Sequence, residues 1–198
     1  MKQGTTVGFM AVFAGVLLAT MTSVYADHAA TGKGTYAVAP HVLAEFHFVV
    51  AKPGPNPDLE PGLNFVQSEM AGRNDSKSFQ TFMISTAIAP LAITTESAGR
   101  TVTIEGEMVS TTFLGAGPER RSFAELVPFT AIGVDKRTPK PGADLFSLTV
   151  EYSAKGKQGP LFKSLGFGVC DHKTKICTIT FQGPVKTGNI FVRTAGSD

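Results

Sequence analysis

Apolar and polar residues alternate along most of this chain, and the alternation has the period of a strand. In Val42-Leu43-Ala44-Glu45-Phe46-His47-Phe48-Val49-Val50, the even positions Val42, Ala44, Phe46, Phe48 and Val50 make one apolar face, with Glu45 and His47 on the other. Residues 101–108 repeat the pattern, with Val102, Ile104 and Met108 inward and Thr103, Glu105 and Glu107 outward. Residues 145–152 repeat it again, burying Phe146, Leu148, Val150 and Tyr152. Further strands are predicted over 33–39, 63–70, 78–88, 91–95, 123–134, 162–170, 176–182 and 189–193. Clusters of Pro, Gly, Asn and Asp punctuate them at 52–57, 72–75, 98–99, 115–118, 138–142 and 156–160. No twelve-residue stretch carries a helical apolar stripe, and Ala87-Ile88-Ala89-Pro90 offers only a short helical turn stopped by its proline. The expected fold is therefore all-β, an antiparallel β-sandwich or irregular barrel of about ten short strands.

One segment departs from this period. Lys2 precedes an apolar run over residues 7–21, and Val24-Tyr25-Ala26 places small residues where a signal peptidase cuts. The run is short for a membrane span and is interrupted by Gly8, Gly15 and Thr20. Residues 1–26 are thus expected to be a secretory signal peptide and 27–198 a single β-rich domain, secreted or periplasmic. No later apolar run could span a bilayer, so no transmembrane segment is expected in the mature chain, and no lipobox cysteine stands near the cleavage point. The Pro-rich stretch 53–61 reads as a long loop, because too little sequence precedes it to form a domain of its own.

Charge adds no partner. The 18 basic and 16 acidic residues nearly balance, and no basic cluster marks a nucleic-acid binder. Glu119-Arg120-Arg121 and Lys173-Thr174-Lys175 read as solvated loop and turn residues.

The two cysteines, Cys170 and Cys177, are expected to pair, because a hairpin turning at Lys173-Thr174 sets them opposite each other. The rival arrangement, a metal held by Cys170, His172 and Cys177, lacks a fourth ligand nearby.

Candidate chemistry is sparse. His41, Glu45 and His47 share one strand face, yet His41 and His47 would lie roughly 20 Å apart in an extended strand, too far to share a metal. Asp135 and Asp144 flank a Pro-Gly loop and are the weak candidates for a Ca²⁺ site, against the simpler reading that each bonds the turn backbone. As a glycosidase pair they would need a cleft and one raised pKa. Asp27-His28 would offer a weak amino-terminal Cu²⁺ site, and Asn74-Asp75-Ser76 matches a glycosylation acceptor. Gly-x-Ser-x-Gly, His-Glu-x-x-His, Cys-x-x-Cys and phosphate-binding Gly loops are all absent from the sequence, so no catalytic residue, cofactor or metal is assigned.

Gly32-Lys33-Gly34-Thr35, Glu45-Phe46-His47-Phe48-Val49-Val50, Leu91-Ala92-Ile93 and Arg100-Thr101-Val102-Thr103-Ile104-Glu105-Gly106 form the first part of a wider pattern. It continues through Phe129-Thr130-Ala131-Ile132-Gly133-Val134-Asp135, Pro141-Gly142-Ala143-Asp144-Leu145-Phe146-Ser147-Leu148 and Gly188-Asn189-Ile190-Phe191-Val192. In these features the chain resembles a β-rich module of secreted bacterial proteins that follows choice-of-anchor domains. The resemblance implies a β-sandwich and transfers no catalytic residue. The hairpin over 169–182 departs from the pattern and reads as an insertion.

The function expected from all this is that of a secreted, non-catalytic β-module with a binding or cell-surface structural role, as an envelope or matrix component. Two other classes stay open. Fifteen Phe with no Trp suit a β-barrel carrier of a small apolar ligand. An extracytoplasmic hydrolase whose residues assemble from distant positions would leave no local motif.

Overall fold

The computed structural model describes residues 29–39, 42–51, 64–74, 77–89, 92–96, 99–115, 120–137 and 142–193. These form ten strands and one helix: β1 (Ala29–Ala39), β2 (Val42–Ala51), β3 (Phe65–Asn74), β4 (Lys77–Ile88), β5 (Ala92–Glu96), β6 (Gly99–Leu114), β7 (Arg121–Asp135), β8 (Leu145–Ser153), α1 (Gln158–Ser164), β9 (Gly168–Asp171) and β10 (Ile176–Arg193). Neighbours pair antiparallel in the order β1-β2-β3-β4-β6-β7-β8-β10, and β10 returns to β1, closing eight strands into a barrel. Of the two expected architectures the barrel is the one formed.

Closure depends on the length of β10. Its residues 176–184 pair with β8 and its residues 185–193 pair with β1. A single strand of 18 residues therefore bridges the edges that a sandwich would leave open. The sequence reading ended one strand at 182 and began another at 189; within that gap, between Pro184 and Val185, β10 passes from one neighbour to the other. Of the hairpin over 169–182, residues 176–182 belong to the wall and pair with β8 throughout. Strands β5 and β9 stand outside the closed ring, β5 on β6 and β9 on β10.

Alternation works as expected in β2, β6 and β8, where the inward residues named from the sequence are all buried. The barrel centre is aromatic. Phe46 stacks on Phe146 with ring centroids 4.2 Å apart, and Tyr36 meets both edge-on. Glycine on β1 makes room for them, because a Cβ at Gly32 would overlap the Phe48 ring. The interior is thus occupied by side chains.

The hydroxyl of Tyr36 is fully buried and makes no hydrogen bond among the described residues. Ser68 is the polar neighbour that favours its ionised form, but the Ser68 proton goes to the Glu45 carbonyl, and burial holds the phenol far above its usual range. Tyr36→Phe is therefore expected to raise stability by about 1 kcal/mol, since it removes an unpaired buried donor and keeps the ring. Urea unfolding of the two proteins measures it, and a loss of stability would reveal a bonded hydroxyl.

The helix is the main departure from expectation. Residues 162–170 read as a strand after a breaker at 156–160, yet 158–164 are helical and only 168–171 extend. Pro160 sits in the first turn, where its missing N–H has no partner to lose. Gly166, at φ 81°, ends the helix. The amides of Phe167 and Gly166 bond back to the Phe162 and Lys163 carbonyls at 3.1 and 3.0 Å, a Schellman motif. Phe162 points into the barrel and packs against Phe79, Tyr152 and Phe181. With only seven residues the helix has no room for an amphipathic stripe, so it owes its stability to this insertion.

Cys170 and Cys177 form the expected disulfide, at directly opposed positions of β9 and β10. A loop this small contributes about 2.5 kcal/mol in the chain-entropy account. Asp171 shapes the turn beneath it, accepting from Lys173 N at 2.7 Å and Thr174 Oγ1 at 3.1 Å; these bonds lower its pKa.

Candidate functional site

The barrel has two differently built ends. At the first, β10 outruns β8: the pairing stops at Pro184 and Leu145, leaving the later amides of β10 without a strand on that side. Two buried carboxylates take its place. Asp144 Oδ2 accepts from Ile190 N at 2.9 Å, and Asp135 Oδ2 from Val192 N at 3.1 Å. Their other oxygens accept from Lys136 N at 3.1 Å and Arg137 N at 2.8 Å in the turn after β7. Arg100 completes the edge by donating from Nη1 to the Val192 carbonyl at 2.8 Å. The structure thus brings the sequence-singled pair Asp135 and Asp144 to one place, where all four oxygens hold backbone amides. Half of that was anticipated, namely the bonds within the turn; the reach to β10 was not.

At the second end α1 plugs the barrel. Ser110 Oγ and Thr112 Oγ1 both donate to Gln158 Oε1, at 2.7 and 2.8 Å, while Gln158 Nε2 donates to the Ser110 carbonyl at 2.9 Å and the Phe123 carbonyl at 3.4 Å. With the protons of Ser110 and Thr112 so committed, their second partners Tyr152 and Thr81 act as donors to them, at 2.8 and 3.0 Å. The group is closed on itself and buried. Glu125 lies beside this end, near Gly156, and burial raises its carboxyl pKa. A shallow cleft of about 410 Å³ opens nearby, lined by residues including Gly72, Gln80, Phe113 and Arg120.

The outer wall carries the remaining unusual feature. In register across β4, β6 and β7 stand Ile84, Val109 and Leu126, exposed by 51%, 37% and 59%. The next row toward the helix end is Phe82, Thr111 and Ala124, and the one after it Gln80, Phe113 and Ser122. Phe82 and Phe113 meet edge to face, and the Arg120 guanidinium lies 4.1 Å from the Phe113 centroid. Together these residues make an exposed, largely apolar band on the outer wall. The exposed apolar residues at the opposite flank, Phe191 and Val49, are separated by Thr31. Sequence carried a signal for this wall: within 78–88 both parities are apolar, Phe79 and Met83 inward and Phe82 and Ile84 outward.

The other candidates do not converge. Glu45 faces outward between Thr35 and Glu69. His47 stands edge-on to Phe65 at 4.7 Å, its pKa lowered by burial and by Lys33. His41, Asp27, His28, Asp75 and Ser76 lie outside the described residues. Among the described residues no three His, Cys, Asp or Glu gather as a metal site, and no helix is long and apolar enough to cross a membrane. Comparison with models of known protein families, with curated proteins and with solved structures returned no match.

Proposed function

We propose that this protein is a secreted, non-catalytic β-barrel that acts as a binding or cell-surface structural module, making its contacts through the outer wall of β4, β6 and β7. The observation that carries this reading is the contrast between inside and outside. The interior is filled by Phe46, Phe48, Phe146, Phe162 and Phe181, all buried, whereas the wall leaves Ile84, Val109 and Leu126 uncovered in one row. Three buried titratable groups of the two ends are occupied in holding the fold: Asp135 and Asp144 by backbone amides, Tyr152 by Ser110. The disulfide fits an oxidising compartment.

Native mass spectrometry of the protein purified from its own host, beside its denatured mass, tests the reading. A native mass that is a whole multiple of the denatured chain is expected. An excess matching a retained small molecule would replace it with ligand carriage, the other role open to a barrel.

A further inference from the structure

We infer that the partner of this wall is a second copy of the chain, packed face to face with the two β6 strands antiparallel about a two-fold axis at Val109. The inference rests on the reading of the wall as a contact surface and adds what covers it.

The argument is one of charge spacing along a single strand. Outward residues of β6 run Glu105, Glu107, Val109, Thr111, Phe113. Glu105 stands four residues before Val109 and Phe113 four residues after it, each about 13 Å away along the strand. A two-fold axis lying in the interface across the strands, through the row Ile84-Val109-Leu126, sets each apolar residue near its own symmetry mate. The same rotation carries Glu105 of one copy onto Phe113 of the other, and with it onto the guanidinium resting on that ring.

Both charges are free to take part. Arg120 is exposed and bonds only to Gln80 Oε1, at 3.4 Å, besides its ring contact; no carboxylate reaches it among the described residues. Glu105 and Glu107 are exposed, and their carboxylates meet no cation among the described residues. An isologous interface uses every such pair twice, so the two Arg120 and two Glu105 side chains would bracket an apolar centre. The reverse stacking, with the strands parallel, would set Arg120 against Arg120 and Glu105 against Glu105, which the charges disfavour.

Size sets the strength. Three strands about 4.8 Å apart, over the residues from 105 to 113, give a face of about 14 by 27 Å. That is below the roughly 800 Å² per partner of a standard interface, so a concentration-dependent dimer with a micromolar dissociation constant is expected.

Sedimentation velocity of the protein purified from its host, across a concentration series, is the test. It is run beside Leu126→Glu, Glu105→Arg, Arg120→Glu and the double variant Glu105→Arg with Arg120→Glu, each checked for an unchanged melting curve. The wild type should dimerise. Each single charge reversal should raise the dissociation constant about 100-fold, Leu126→Glu should abolish the dimer, and the double variant should return to near the wild-type value. A wild type that stays monomeric overturns the inference, as does a dimer insensitive to these changes. If the monomer instead binds phosphatidylglycerol vesicles in a way that Leu126→Glu removes, the wall is a contact surface for lipid and only the self-pairing fails. Retained small-molecule mass in the native spectrum would mark the different failure, that of the contact reading itself.

Discussion

Asp144→Ala is expected to lower stability by about 3 kcal/mol or more, and the melting temperature by about 6–12 °C. Asp144 is buried and accepts one amide from the turn after β7 and another from Ile190 of β10. Each bond has a charged acceptor, worth about 1.5–3 kcal/mol, and truncation leaves the Ile190 amide unpaired in the interior. Asp144→Asn should recover little, because its amide nitrogen would have to face one of two N–H donors. The effect should also be local in hydrogen exchange, with the Ile190 and Val192 amides losing protection before those of β2 or β6. A variant that melts within a degree of wild type would show that β10 holds its place without the carboxylates.

Gln158→Leu should cost a similar amount, about 3 kcal/mol. The side chain would fill the space but remove the acceptor of the Ser110 and Thr112 hydroxyl protons and the donor to the Ser110 carbonyl, all buried. A sharper version uses charge. Gln158→Glu keeps the shape, and its protonated form can still donate to the Ser110 carbonyl, whereas its ionised form cannot. Burial would raise that carboxyl in the folded state above its unfolded value of about 4.3. Its stability is therefore present below the unfolded pKa and is lost as pH rises through the folded one. Thermal melts compared with wild type at the same pH should show a small deficit in acid and a large one at neutral pH. A deficit that does not change with pH would mean that the site is wet.

Both positions also show what sequence could and could not reveal. Alternation in β2, β6 and β8 named the core correctly because one face of each strand is buried and the period is two. The disulfide was legible because hairpin register fixes which residues face each other. Closure was not legible: it depends on Gly32 meeting Ile190, a pairing between residues far apart in the chain. The plug was hidden for a different reason. Gly159 and Pro160 look like a break, and only Pro early with Gly166 late hinted at a helix. Asp135 and Asp144 were singled out for chemistry, but their outer oxygens serve strand β10, which local sequence cannot place. Gln158, the most heavily bonded side chain of the plug, carried no signal, because a lone polar residue in a Gly-rich stretch reads as exposed.

Pairing of the first strand with the last has a consequence in time. Residues 29–36 find one neighbour early, in β2, but their other edge must wait for residues 185–193. Until that C-terminal segment has been made and delivered, the sheet is open along two edges and its aromatic face is accessible to other chains. Non-local closure of this kind folds slowly, in the range of milliseconds to seconds. Any factor that escorts the unclosed chain should therefore act before β10 arrives and have nothing to hold afterwards.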